Sequence, residues 1–119
     1  MAFAPEIIQS VWDKASSVEG FDPAVFRKDP CGAWIIRNKY GLTDNPYGWQ
    51  IDHVYPKSLG GDDNPRNLRA MHWRNNESKA DDYPSYIARI TSEGNKNIEC
   101  YNSHTINKVL REFVTNTYK

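Results

Sequence analysis

Residues 58–66, Ser-Leu-Gly-Gly-Asp-Asp-Asn-Pro-Arg, hold two Gly, three Asp or Asn and a Pro, so this stretch has to be an irregular loop with little capacity to form a core. What flanks it is therefore held together by its neighbours. Before the loop, Trp49, Ile51, Val54 and Tyr55 suggest a strand around Asp52-His53, ended by Pro56. After it, residues 67–71 can return as a second strand, and residues 73–80 are helix-compatible with no Gly or Pro. The predicted order over residues 49–80 is strand, polar loop, strand, helix.

The flanks add helices and a hairpin. Pro5 is well placed near a helix start, and Ile7, Ile8, Val11, Trp12 and Ala15 then share one face at a 3.6-residue period. Asp22 and Pro23 are expected to cap and open a short helical turn over residues 24–27, which Pro30 stops. Residues 31–36 are short, apolar and β-prone, and residues 41–48, with Asn45-Pro46, read as a loop. Residues 86–91 and 97–101 form an expected extra β-hairpin around Glu93-Gly94-Asn95. A closing helix is written in Ile106, Val109, Leu110, Phe113 and Val114, with Asn102 or Ser103 as its cap. The fold class expected is α+β, in one domain spanning residues 1–119.

Composition narrows the functional classes. The longest uninterrupted aliphatic or aromatic run is Ala33-Trp34-Ile35-Ile36 and the mean hydropathy is -0.77, which excludes a membrane-spanning helix. Fifteen Lys plus Arg against fifteen Asp plus Glu give zero net charge, which argues against binding phosphates by bulk charge. Any contact with nucleic acid has to be local. The first residues show no basic segment followed by a long apolar one, so the expected location is cytoplasmic, with a secreted role left open. Cys31 and Cys100 belong to no CxxC pair; two reduced, packed thiols are expected rather than a bridge or a zinc knuckle.

The chemistry-bearing residues lie around the polar loop. Asp52-His53 at a strand end, then Asn67, then Asn76 on the following helix, can bring an oxygen ligand, a base and a second oxygen ligand together. Two hard oxygen donors suit a divalent cation such as Mg²⁺, which keeps several waters and completes its shell with substrate phosphate. His53 follows Asp52 directly and so points to the other side of the strand, which separates their tasks. Neutral imidazole, with an ordinary pKa of ~6.5, can take a proton from attacking water near physiological pH.

The pattern Asp52-His53-x-x-Pro56-x-Ser58-x-Gly60-Gly61-x-Asp63-x-x-x-Asn67-Leu68, followed by Asn76-x-x-Lys79, closely resembles the signature of the HNH endonucleases. The resemblance implies a ββα-metal motif, two antiparallel strands and a helix around one divalent ion, with flanking amino- and carboxy-terminal helices. It implies His53 as general base, Asp52 and Asn76 as metal ligands, and Asn67 as the amide that braces the loop. It further implies hydrolysis of phosphodiester bonds in nucleic acid, DNA favoured over RNA. The two oxygen ligands favour Mg²⁺ or Mn²⁺ over Zn²⁺ or Ni²⁺. Asn75 competes with Asn76 for the ligand role, since one residue along a helix turns the side chain by ~100°. The Asn-x-x-Lys spacing favours Asn76 and leaves Asn75 as a solvent- or loop-bonding amide.

Arg66, Arg69, Arg74 and Lys79 cluster around this pattern as candidate phosphate contacts, Lys79 first, because it follows Asn76 by three positions on one helix. Trp49 and Trp73 are expected to pack rather than stack on bases, and His72 to lie close enough to line the cleft. Two other classes stay open beside a nuclease: a non-catalytic nucleic-acid-binding or protein-interaction domain, and a secreted antibacterial nuclease toxin. A protein partner for targeting or immunity fits either nuclease reading.

Overall fold

A computed structural model describes residues 3–119, and among these the chain forms three α-helices and three two-stranded antiparallel sheets, a mixed α+β architecture. In chain order these are α1 (Pro5–Lys14), β1 (Phe26–Lys28), β2 (Trp34–Ile36), β3 (Trp49–His53), β4 (Leu68–His72), α2 (Trp73–Lys79), β5 (Ser85–Glu93), β6 (Lys96–Thr105) and α3 (Lys108–Tyr118). Among the described residues no helix is long and apolar enough to cross a membrane.

The β3–β4 hairpin sits between two cores. Its register pairs Trp49 with His72, Ile51 with Ala70, Asp52 with Arg69 and His53 with Leu68, and directly paired residues share a face. One face carries Trp49, Ile51, Leu68 and Ala70 onto Val11 and Trp12 of α1 and onto Ile35. Trp12 and Trp49 are both fully buried, with ring centroids 5.3 Å apart, and each contributes roughly 3 kcal/mol by burial. Their indole N–H groups donate to the carbonyls of Pro23 and Ile36, so neither ring hides an unpaired donor. On the other side Met71 joins Val54, Tyr86, Ala88, Ile106, Phe113 and Val114, which brings the β5–β6 hairpin and α3 against the chain that follows β3.

The helix α2 is fixed at its start by side chains rather than by propensity. His72 caps it, Nδ1 accepting from the Arg74 amide at 3.1 Å. The buried Asp29 accepts from the amides of Cys31, Ala33 and His72 and from the Asn75 side chain, tying the β1–β2 turn to the β4–α2 junction.

Three expectations about the flanks need correction. Residues 24–27 do not form a helical turn: a short turn after Asp22 leads into β1, because Phe26 pairs with Ile36 and packs edge-on against Phe21 and Trp34. Long-range pairing overrides the local cap signal. The β5–β6 hairpin is longer than its sequence core, reaching Thr105, and so displaces the α3 cap from Asn102 or Ser103 to Asn107, which accepts from the Leu110 amide at 2.9 Å. Ile106 lies before α3, buried in the second core, while Val109 is exposed. Cys31 is buried and Cys100 half-buried, both as free thiols; burial first, then nearby Asp29, pushes the Cys31 thiol up to about 12, so it is unreactive.

Candidate active site

The end of β3 and the face of α2 enclose an open cleft of about 200 Å³, lined by Asp52, His53, Lys57, Ser58, Asn76 and Asp81 among others. Asp52, His53 and Asn76 thus share one cleft. Larger hollows lie elsewhere: one of about 370 Å³ beside His72 and Trp73, and one of about 340 Å³ beside Lys14, Arg66 and Arg69, neither bordered by any of those three residues.

His53 ends β3, its side chain 18% exposed, and its Nε2 lies 2.8 Å from Asp63 Oδ1. Phe3 stands beside the imidazole, ring centroids 6.1 Å apart. The hydrogen bond from His53 is the main reason the Asp63 carboxyl is held below the usual carboxylate range, and Lys57, 3.7 Å away, adds to it.

Asp63 is held in place by the loop. Asn67 is fully buried; its Oδ1 accepts from the Tyr55 amide at 2.8 Å, and its Nδ2 donates to the carbonyls of Tyr55 and Asp62 at 3.1 and 2.9 Å. One amide therefore closes residues 55–62 into a compact loop, using both its donor and acceptor capacity. Gly61 allows that closure, because a Cβ there would stand 1.8 Å from the Tyr55 carbonyl oxygen and 3.0 Å from Asn67 Nδ2.

Asp52 is 3% exposed and carries two cations, Arg69 Nε at 2.9 Å on Oδ2 and Lys79 Nζ at 3.3 Å on Oδ1. Lys79 is fully buried, and also donates to the His53 carbonyl at 3.1 Å. Burial lowers its pKa, with Asp52 opposing. For Arg69, burial is outweighed by Asp52 and Tyr86, so its guanidinium is held above its ordinary value; its Nη2 has no hydrogen-bond partner among the described residues.

The neighbouring asparagines of α2 part company as the helix turns. Asn75 is fully buried: Oδ1 accepts from the amides of Arg89 and Ile90, both at 2.8 Å, and Nδ2 donates to Asp29 and to the Ile90 carbonyl. Of the two roles expected, solvent-bonding or loop-bonding, it does not take the first: it bonds Asp29 in the β1–β2 turn and staples α2 to β5. Asn76 borders the cleft, with Nδ2 donating to Gln50 Oε1 at 2.8 Å. His72 lies away from this cleft, its Nε2 2.8 Å from the Pro46 carbonyl.

The candidate phosphate contacts do not gather at the cleft. Lys79 has no exposed surface with which to meet a phosphate; the helical turn that carries Asn76 to the cleft carries Lys79 inward to Asp52. Arg69 is committed to Asp52 and Arg66 stacks on Phe113, guanidinium 4.6 Å from the ring centroid. Arg74 faces Glu99 at 3.5 Å beside the hollow at Trp73. Lys57 and Ser58, which do border the cleft, are absent from that set of four, although they stand within the motif.

Residues 38–85 match the model of a protein family described as HNH endonuclease, so this segment is recognised as an HNH unit. The matched span covers β3, the polar loop, β4 and α2, that is, every element that borders the cleft. The family association is with nuclease chemistry on nucleic acid. No curated protein and no solved structure matches the chain.

Among the described residues no three His, Cys, Asp or Glu side chains converge as a ready-made metal cage. The oxygen-bearing residues that line the cleft, among them the carboxylates Asp52 and Asp81 and the amide Asn76, fit a hard divalent ion completed by water and phosphate, and do not fit one needing three or four nitrogen or sulfur ligands.

Proposed function

We propose that this chain is a divalent-metal-dependent endonuclease that hydrolyses phosphodiester bonds of nucleic acid, DNA before RNA. The observation that carries the reading is the convergence of Asp52, His53 and Asn76 on one cleft inside the segment that matches the HNH family.

His53 takes the proton from the attacking water at its free ring nitrogen, while Asp63 holds the other. Asp52 and Asn76 would hold the ion, Mg²⁺ or Mn²⁺ in preference to Zn²⁺ or Ni²⁺, in the ββα-metal arrangement. The ion supplies stabilisation of the charge that builds on phosphate and leaving oxygens. Lys79 and Arg69 keep the Asp52 carboxylate in place by charge-assisted bonds, and Lys79 ties it to the backbone of His53. Lys57 at the rim is the cation best placed to meet a phosphate, as the buried Lys79 is not.

The test is cleavage of supercoiled plasmid, linear duplex, single-stranded DNA and RNA across a divalent-ion series, with His53→Ala as control. Activity with Mg²⁺ or Mn²⁺ that disappears in the variant is expected. Equal cleavage by the folded variant removes His53 from the reaction.

The double ion pair of Asp52 favours one other reading, a nucleic-acid-binding domain without hydrolysis, because an ion entering there would share its carboxylate with two cations. Binding without cleavage across Mg²⁺, Mn²⁺ and Zn²⁺ would establish it.

A further inference from the structure

We infer that Asp63 is the positioning residue for His53, fixing which imidazole nitrogen carries the proton and leaving Nδ1 as the nitrogen that faces water. The inference rests on the reading of His53 as the base and assigns a second side chain to that task.

Asp63 Oδ1 lies 2.8 Å from His53 Nε2. A carboxylate only accepts, so Nε2 must be the donor, and a neutral imidazole with Nε2–H keeps its lone pair on Nδ1. Among the described residues the imidazole has no other hydrogen-bond partner. The tautomer is therefore set by one loop carboxylate.

An exposed carboxylate on a mobile loop would set little, since an exposed pair contributes modestly. Here both neighbours of Asp63 are anchored. The Asp62 carbonyl accepts from buried Asn67, and the Asp62 carboxylate accepts from the Tyr118 hydroxyl of α3 and from the Asn64 amide at 3.1 Å. The Asn64 carbonyl accepts from the Asn67 amide at 2.7 Å, while its side chain accepts from the Arg66 amide at 3.0 Å. The loop thus presents Asp63 from a rigid base, which is what a positioning group requires. Asn67 acts on His53 at one remove, through this loop.

The test is the nitrogen NMR signature of the His53 imidazole. The wild-type chain should show Nε2 protonated and Nδ1 bare. Asp63→Ala should mix the two tautomers, and Lys57→Ala, which removes a neighbour of Asp63 but no partner of His53, should leave the tautomer unchanged. In cleavage assays Asp63→Ala should lower kcat by about 10- to 100-fold with KM within about twofold, as expected for removal of an orienting partner. An Asp63→Ala protein that melts normally and keeps the wild-type nitrogen pattern overturns the assignment. Because the NMR reading needs no turnover, failure of the nuclease reading and failure of this one are separately visible.

Discussion

The β3–β4 hairpin ends in a histidine on each strand, and the two are held in different ways. At the open end His72 is 2% exposed, and both its nitrogens are committed to backbone, Nδ1 to the Arg74 amide and Nε2 to the Pro46 carbonyl. At the loop end His53 is partly exposed and commits one nitrogen, to a carboxylate on a loop. A ring with both nitrogens bonded and no access to water is a cap and a strut. A ring with one nitrogen bonded, at the mouth of a cleft, keeps a lone pair for chemistry. On the proposed reading, the same side chain divides into structure and function according to what occupies its second nitrogen.

The sharpest way to break this comparison is to remove His53. His53→Ala should lower cleavage by about 10²- to 10⁴-fold, the range for loss of a general base, while the urea midpoint stays near wild type because the ring is not part of either core. Plasmid nicking and urea unfolding on the same preparation check both halves. A large loss of stability with the activity loss would make His53 a strut like His72.

Lys79 comes next. Lys79→Ala should destabilise the chain by about 3 kcal/mol, because it removes one of two cations from a buried carboxylate and leaves the His53 carbonyl without its partner. Urea unfolding measures it. A change under about 0.5 kcal/mol, the range of surface substitutions, would show that Asp52 is sufficiently held by Arg69 alone.

The adjacent asparagines extend the comparison along α2. Asn75→Ala should destabilise by about 2 kcal/mol, since it strips the partners from the Arg89 and Ile90 amides. Asn76→Ala should instead weaken the dependence of cleavage on Mg²⁺ and leave folding nearly unchanged. Calorimetric metal titration together with urea unfolding separates the two, and a swap of the two phenotypes would refute the assignment.

How much of this could be read from residues alone depends on the range of the cause. The β3, loop, β4, α2 order was legible because Gly60, Gly61 and Pro65 disrupt regular structure locally and the apolar runs on either side have strand length. The grouping of Asp52 with His53 followed from their adjacency. The burial of Asn75 and Lys79 was not legible, because it depends on Asp29, on β5 and on Asp52, groups that only the tertiary fold brings near. One residue of helix phase decides between Asn75 and Asn76, and periodicity does not resolve it. The contact of Asp63 with His53 also escaped: the motif placed Asp63 in the loop, but its aim depends on the Asn67 and Tyr118 anchors. The charged residues near the motif were misleading for a related reason, since proximity in sequence does not say which side of the sheet a long side chain takes.

Acidification gives the gentlest probe of the two ends. Burial is the leading cause that lowers the His72 pKa below 6.5, with Arg74 adding to it and the Pro46 carbonyl and Asp29 opposing. The unfolded chain therefore takes up that proton first as pH falls, so the His72 contribution to stability is complete above about pH 6.5 and is lost on the way down. At the other end Asp62 and Asp63 are held below 3.8, Asp62 mainly by the Tyr118 hydroxyl and Asp63 mainly by His53. Their contribution is present above that value and fades only in stronger acid. The His72 window opens near pH 6.5, well above the value at which the loop carboxylates begin to matter, which lets urea midpoints between about pH 5 and 7.5 report His72 without interference from them. His72→Gln, which can keep a donor toward Pro46, should flatten the slope there, while Asp63→Ala should leave it intact. A slope that survives His72→Gln would mean that the buried cap does not titrate with folding, and that the two histidines are less different than their surroundings.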